Sequence, residues 1–218
     1  EVAQAAFITA IGPTAIAAPV IISLKKGKVE FVAFSLLLNN ILITLLIPFL
    51  LPVINIKHEG IALVDIFIPV FVTLSLPFVA AQLLKYTTPK VWRFLVEWKD
   101  SSFYLLILNI YIATSDASDY IRGETPDHYN SLIVIAILSG VICMLMFSLG
   151  WLIGGKKYAA EASQSLGQKN NAFTIWIALT YMNPVSVLGP IFYVFFQNVY
   201  VSWELFQHNK KIESTNLI

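Results

Sequence analysis

The sequence consists of long apolar segments separated by short polar stretches. Single-residue alternation of apolar and polar positions, which is typical of membrane β-strands, is absent over these segments. Each segment is close to the roughly 20 residues that an α-helix needs to cross a bilayer. The pattern therefore predicts an all-α integral membrane protein. Seven crossings are predicted, at about residues 2–24, 29–54, 61–84, 102–120, 131–153, 158–182 and 185–206.

Two of these segments are predicted to be broken helices. The first contains Gly12-Pro13 and Pro19, and each proline removes a backbone donor from the helix. The sixth contains the polar stretch 165–171 (Ser-Leu-Gly-Gln-Lys-Asn-Asn), and a helix that began only at Ala172 would be too short to span. We therefore expect this stretch to lie at membrane depth between two half-helices. Irregular backbone is tolerated there only where it is buried in protein or lines a cavity.

The composition agrees with a membrane protein. Hydrophobic residues make up 57% of the 218 residues and charged residues 12%, with a mean hydropathy of +0.74, whereas soluble domains are nearer a quarter charged. A net charge of +1 gives no indication of nucleic-acid binding, and the single cysteine, Cys143, excludes an internal disulfide or a cysteine metal cluster. No cofactor and no metal are predicted. Because the sequence starts at Glu1 and runs directly into an apolar segment, we expect further N-terminal helices of the same protein.

The charges in the loops predict the orientation. Most of the cations fall at one set of segment ends, and the positive-inside rule places those ends and the C-terminus in the cytoplasm. The expected location is a plasma (inner) membrane, with the lipid bilayer as partner. The basic loop after the third segment is expected to hold a short interfacial helix with Trp92 and Trp98 as anchors. The cations of this set are Lys25, Lys26, Lys28, Lys85, Lys90, Arg93, Lys99, Lys156, Lys157, Lys210 and Lys211.

A weak internal repetition accompanies the two breaks. Gly12 precedes Asn40, and Asn170 precedes Asn198, by the same spacing, so that each broken segment is followed by a mid-membrane amide in the next segment. Broken helices at corresponding places in two halves of a chain are typical of inverted-repeat transporters.

Three stretches resemble the bile acid:sodium symporter superfamily. Residues 13–20 (Pro-Thr-Ala-Ile-Ala-Ala-Pro-Val), with Leu-Lys-Lys-Gly at 24–27 and Leu-Leu-Ile-Pro at 45–48, are similar to that family's fourth and fifth helices. Residues 167–170 (Gly-Gln-Lys-Asn) are similar to its helix-nine crossover, and residues 196–202, from Phe-Gln-Asn to Ser, to a stretch of helix ten.

The resemblance implies a fold and a function. The family has ten helices in two inverted five-helix repeats, and this chain would supply helices four to ten. Residues 1–54 would then end the first repeat, and residues 55–218 would form the second. The implied function is secondary transport of a small organic anion.

The family's sodium ligands are not retained. By our alignment, the first sodium site falls on Ala18, Pro19, Val32, Leu36 and Ser165, and the second on Ser165 and Lys169. Sodium requires several oxygen ligands, and an ammonium group in their place repels it. Asn170, which in the family faces the substrate, is retained. Usual sodium coupling is therefore not expected.

Lys169 is the central candidate, since an ionisable residue at membrane depth costs roughly 3 kcal/mol or more. The C-terminal end of a half-helix would expose carbonyl groups near it and favour a cation. Its ammonium could occupy the volume in which the family holds sodium. It could attract an anionic substrate or, because burial disfavours the charged form, serve as the site of proton coupling. The alternative is a permanent structural replacement for sodium.

The remaining candidates are polar or lie beside a break. Their side chains could bind substrate, satisfy freed backbone groups or bond neighbouring helices. The candidates for substrate or ion binding are Pro13, Thr14, Pro19, Ser165, Gly167, Gln168, Lys169, Asn170 and Asn171, with Asn39, Asn40, Gln197 and Asn198 as further candidates.

Other classes of function stay open beside the anion transporter. The fold also resembles cation/proton antiporters, but that mechanism requires an acidic residue at the core centre, which we do not find in the seven segments. A non-transporting receptor or scaffold with a degenerate site is a further alternative. An enzyme is not predicted, because the sequence has neither a His-Glu-x-x-His nor a Gly-x-Ser-x-Gly motif.

Overall fold

A computed structural model of the chain describes residues 1–54, 63–98 and 129–216, with single positions between them at 101, 104, 108, 111, 115, 118 and 122. Nearly all of the described residues are helical. The helices are α1 (Val2–Ile11), α2 (Ala17–Leu24), α3 (Val29–Ile54), α4 (Leu63–Thr87), α5 (Pro89–Glu97), α6 (Tyr129–Gly167), α7 (Asn171–Tyr181) and α8 (Leu188–Asn216), with a 3₁₀ turn at Pro184–Val187 before α8.

Among the described residues, four helices are long and apolar enough to cross a membrane: Val29–Ile54, Val64–Thr87, Asn130–Gly167 and Pro184–Ser214. The prediction of an α-helical membrane protein is confirmed at this level. The second predicted segment coincides with α3, and the third lies two to three residues from α4. The last helix extends about ten residues beyond its predicted end. The fourth predicted segment, residues 102–120, lies largely outside the described residues.

The first predicted segment is divided in two, as the sequence indicated, but only one of its prolines lies at the break. α1 ends at Ile11, and residues 12–16 are not helical. Pro19 lies in the first turn of α2 instead, where its missing N–H would have had no partner within the helix. The expectation that Pro19 breaks the helix is therefore wrong.

α6 consists of two limbs that fold back on each other. Gly155 (φ 56°, ψ −158°) and Tyr158 (φ −134°, ψ 21°) interrupt the helix, and we call residues 129–154 limb α6a and residues 159–167 limb α6b. The limbs approach closely through glycines: a Cβ added at Gly150 would lie 2.4 Å from Ala162 O, and one at Gly167 would lie 2.3 Å from the Phe147 ring. Small residues permit such helix contact in membranes. The chain thus reverses between the fifth and sixth predicted segments, at Gly155 to Tyr158, and α6b returns along α6a.

The other helices pack with their directions alternating. Ile47 and Leu51 near the end of α3 share a buried cluster with Ile66 and Val70 near the start of α4, so these two helices are antiparallel. α8 lies along α6a, where Tyr193 packs with Cys143 and Phe147. The start of α8 lies beside Ala5 of α1, since a Cβ on Gly189 would be 2.6 Å from Ala5 O.

These directions bring the basic turns to one end of the bundle. Lys25, after α2, contacts Glu204 in the second half of α8, and Lys28 lies against Tyr158 in the α6 turn. α4 also ends at this end and continues into the short helix α5, which the basic loop had predicted. The opposite end holds Asn183, which donates to Glu1.

Candidate functional site

The two helix breaks cross and pair through their backbones. Thr14 and Lys169 form an isolated antiparallel bridge. The N–H of Ala15 donates to the carbonyl of Gln168 (2.8 Å), and the N–H of Asn170 donates to the carbonyl of Pro13 (2.7 Å). Backbone groups freed by ending four half-helices, α1, α2, α6b and α7, are thereby satisfied inside the protein, as membrane depth requires.

Thr14 connects the first break to two further helices. Its hydroxyl donates to the carbonyl of Ser165 at the end of α6b (2.6 Å) and accepts a hydrogen bond from the amide of Asn39 on α3 (2.7 Å). Thr14 is 1% exposed. The hydroxyl therefore uses both its donor and one acceptor position on protein groups, and α3 is held against the crossing.

The Lys169 side chain lies along the first break and reaches the end of α1. Its Nζ donates to the carbonyl of Ala10 (2.8 Å), one of the last carbonyls of that helix. The residue is 7% exposed. The negative end of a helix dipole favours a cation at this position. Gly12 permits the close approach of Thr174, because a Cβ there would lie 2.8 Å from Thr174 Cγ2, whereas its 3.6 Å separation from Lys169 Cβ is an ordinary contact.

The charge of Lys169 is not neutralised by a neighbouring acid. Over the described parts of the chain, the ion pair found joins Lys25 to Glu204, and no group of three or more His, Cys, Asp or Glu residues could hold a metal ion. The ammonium donates to the uncharged carbonyl of Ala10, so that its charge is not compensated by a carboxylate among the described residues. Such a site attracts an anion more than a second cation.

Gln197 on α8 fixes the second break from the other side. Its side-chain oxygen accepts from the backbone N–H of Lys169 (2.8 Å) and from the amide of Asn171 (3.3 Å), and it is 6% exposed. Tyr193, one turn earlier, donates its hydroxyl to the carbonyl of Gly167 (2.7 Å). α8 therefore orients the crossover through two side chains on one of its faces.

Other candidates lie in the crossover with different roles. Asn170 is half-buried and caps α7, accepting from the N–H of Phe173 (3.3 Å). The Ser165 hydroxyl donates back to the carbonyl of Glu161 (2.8 Å). The side-chain oxygens of Gln168 and Asn171 are buried without a hydrogen-bond partner, which leaves two acceptors for a donor group of a ligand.

Three of the candidates lie elsewhere. Asn198 is exposed on α8, one residue from the amide that does bond the crossover. Pro19 lies in α2. Asn40 lies on α3 next to Asn39, and its side-chain oxygen is buried without a partner. The sequence indicated an amide on each neighbouring helix but could not decide which of two adjacent residues faces inward.

A second polar cluster was not predicted. Glu204 accepts from Lys25 Nζ (2.5 Å) and from the amide of the fully buried Gln164 (2.6 Å). Glu161, 7% exposed, accepts from the backbone N–H of Lys28 (2.9 Å). These contacts connect the turn after α2 with α6b and α8. Carboxylates within apolar segments were the signal available in the sequence.

The cavity found along α6 and α8 lies apart from the crossover. It measures about 500 Å³ and its lining, which includes Gly140, Met144 and Phe196, is mostly apolar. It offers no charged group to an anion.

Comparison with protein-family models, with curated proteins and with solved structures finds no match to this chain.

Proposed function

We propose that this chain is part of a secondary membrane transporter for a small organic anion, with Lys169 in the position of a coupling cation. The observation that carries the proposal is the pairing of two broken helices around an ammonium group that has no carboxylate partner among the described residues. Discontinuous helices that meet at mid-membrane are the usual way in which secondary transporters build a substrate site.

The bonding pattern around the crossing supports an inverted repeat. The first break is followed by α3, whose Asn39 bonds Thr14, and the second is followed by α8, whose Gln197 bonds the backbone of Lys169. Each break is thus held by an amide from the helix that runs on from its own broken segment. We propose that residues 1–54 end one repeat and residues 55–218 form the second, with N-terminal helices of the same protein completing the first.

Lys169 is proposed to act as a built-in cation. In the conformation described, its ammonium is shielded from water and bonded to Ala10 O. Transport then requires the crossing to open, so that an anion reaches the ammonium from the side of the half-buried Asn170. If the lysine loses its proton during the cycle, the bond to Ala10 O weakens, and release of the anion is coupled to proton movement.

The positive-inside rule supports an orientation. Lys25, Lys28, Lys85 and Lys157 lie at the same end of the bundle as the second half of α8. We propose that this end, with the C-terminus, faces the cytoplasm of an inner membrane.

The test is anion uptake by the full-length protein in proteoliposomes. A panel of small carboxylates and sulfonates is first screened by thermal shift, and uptake of those that bind is measured with and without sodium and across a pH gradient. Lys169→Ala and Lys169→Gln should each abolish uptake while the protein remains folded. Lys90→Ala, which removes an equal charge from exposed helix α5, should leave uptake within about twofold.

Normal uptake by both Lys169 variants would overturn the assigned role of Lys169, and uptake that requires sodium would overturn its role as the coupling cation. Electrogenic cation exchange without anion uptake would favour the antiporter alternative. Binding of an anion without uptake would favour a receptor.

A further inference from the structure

The turn after α2 and the turn within α6 bring two lysines onto one aromatic ring. Lys28 Nζ lies 4.6 Å from the centre of the Tyr158 ring, and Lys157 Nζ lies 5.1 Å from it. Phe31 stacks on the same ring, with centroids 4.9 Å apart and planes at 12°. The ammonium groups of two separate turns thus share one aromatic ring.

These ammonium groups have no carboxylate partner among the described residues. The ion pair found there is Lys25–Glu204. Glu161 reaches the same turn but accepts the backbone N–H of Lys28 (2.9 Å). Two further exposed lysines, Lys26 and Lys156, lie beside the pair in sequence. The cluster is therefore a concentrated positive charge whose ammonium groups form no ion pair among the described residues, with the Glu161 carboxylate bound to the backbone of the turn instead.

Both turns contain a residue with positive φ, which glycine adopts readily and lysine only with strain. Lys26 has φ 56°, which is uncommon for a residue with a side chain, and Gly155 has the same φ. Strained positions that persist in a fold cluster at ligand clamps and switch regions. Lys26 lies in the turn that carries Lys28, and Gly155 lies in the turn that carries Lys157.

An apolar surface adjoins the cluster on the membrane side. Trp151, Leu152 and Ile153, directly before the α6 turn, are 58%, 65% and 77% exposed. They belong to a helix that is long enough to cross the membrane, so they meet lipid chains. A ligand that suits both parts carries a negative head and an apolar tail.

We infer that Lys28, Lys157 and Tyr158 form a binding site for the phosphate group of an anionic membrane lipid. The phosphate lies between the two ammonium groups, and an acyl chain follows residues 151–153 along α6a. Basic pockets between membrane helices bind lipid phosphates in this way. The site is separate from the crossover and does not depend on transport.

The experiment uses the full chain in mild detergent. Thermal unfolding is followed during titration with dioleoyl phosphatidylglycerol, dioleoyl phosphatidylcholine or inorganic phosphate. Wild-type protein should be stabilised by phosphatidylglycerol at a concentration at least tenfold below that needed for phosphatidylcholine. Inorganic phosphate at equal concentration should have no effect, because it lacks the chain that packs on α6a.

Matched variants separate the site from general attraction. Lys28→Gln/Lys157→Gln should raise the phosphatidylglycerol concentration at half-effect about tenfold or more, given about 1 kcal/mol for each cation near a lipid surface. Lys85→Gln/Lys90→Gln removes the same charge at the same end of the bundle and should change the phosphatidylglycerol concentration at half-effect less than twofold. If the first double variant does not fold, Lys157→Gln alone should give a loss of about fivefold.

The inference fails under three results. Equal losses in both double variants would mean attraction by net charge alone. Equal stabilisation by both lipids would remove the role of the negative head. An equal effect of inorganic phosphate would assign the cluster to a soluble anion.

Discussion

Gln197 is the side chain that determines how the second break is held. Its oxygen accepts from the buried backbone N–H of Lys169 and from the amide of Asn171. A backbone donor left unpaired at membrane depth costs free energy comparable to several hydrogen bonds made in water. The polar chemistry of the crossover thus depends as much on a neutral amide on α8 as on the lysine itself.

Replacing Gln197 by Leu should destabilise the protein by about 1–3 kcal/mol, because two buried donors lose their acceptor. Asn198 is the matched control, since it is the next residue on the same helix and is exposed. Asn198→Leu should leave the unfolding temperature unchanged or raise it. Both are measured by thermal unfolding in detergent, and a greater loss in Asn198→Leu would contradict the assignment of the inward face.

At the scale of the element, the polar contacts that distinguish this fold lie at the breaks and turns rather than within the long helices. α3 and α4 continue through Pro48, Pro52, Pro69 and Pro77, because neighbouring helices can satisfy a freed carbonyl in a membrane. The chain stops being helical at residues 12–16 and 168–170 instead. The backbone groups of these two breaks bond each other, so each break stabilises the other.

Substitutions at the positive-φ residues Gly155 and Lys26 should change the free energy of unfolding in opposite directions. Gly155→Ala should destabilise by about 1–3 kcal/mol, since its φ of 56° with ψ of −158° belongs to a region nearly restricted to glycine and no atom lies within 4 Å of the added Cβ. Lys26→Gly should stabilise, by roughly 0.5 kcal/mol, because it relieves the same φ at the end of α2.

Thermal unfolding of the two variants in detergent without added lipid checks both signs. A shift in the same direction for both would show that the backbone conformation does not control stability at one of these turns.

At the scale of the whole molecule, the alternating directions of the helices place the described lysines of three separate turns at one end of the bundle. The α2–α3 turn, the α6 turn and the end of α4 are far apart in sequence, yet Lys28 and Lys157 meet on Tyr158. This arrangement underlies both the proposed orientation and the proposed lipid site.

Cysteine labelling tests the orientation. Cys143 is the only cysteine and is buried, so Cys143→Ser provides a background. In it, Lys26→Cys should react with a membrane-impermeant maleimide only from the cytoplasmic side, and Asn183→Cys, at the opposite end, only from the other side. The reverse pattern would contradict the orientation, and labelling of both from one side would contradict the packing directions.

The sequence by itself determined the class of protein and the places where its helices break. Long apolar segments require helices in a bilayer, because only an internally bonded backbone is stable there. The polar stretch 165–171 and Gly12-Pro13 could not continue such a helix. The turn at Lys156-Lys157 and the short helix with Trp92 also follow from local pattern.

Only the tertiary structure decided which residues meet. The choice of Gln197 over Asn198, the contact of Lys169 Nζ with Ala10 O and the cluster of Glu204, Lys25 and Gln164 depend on helix rotation. The rotation of each helix about its axis is set by close packing between residues that are far apart in sequence, such as Gly167 on Phe147. The local sequence carries no record of it, because a polar side chain in a membrane segment needs a partner but does not specify which one.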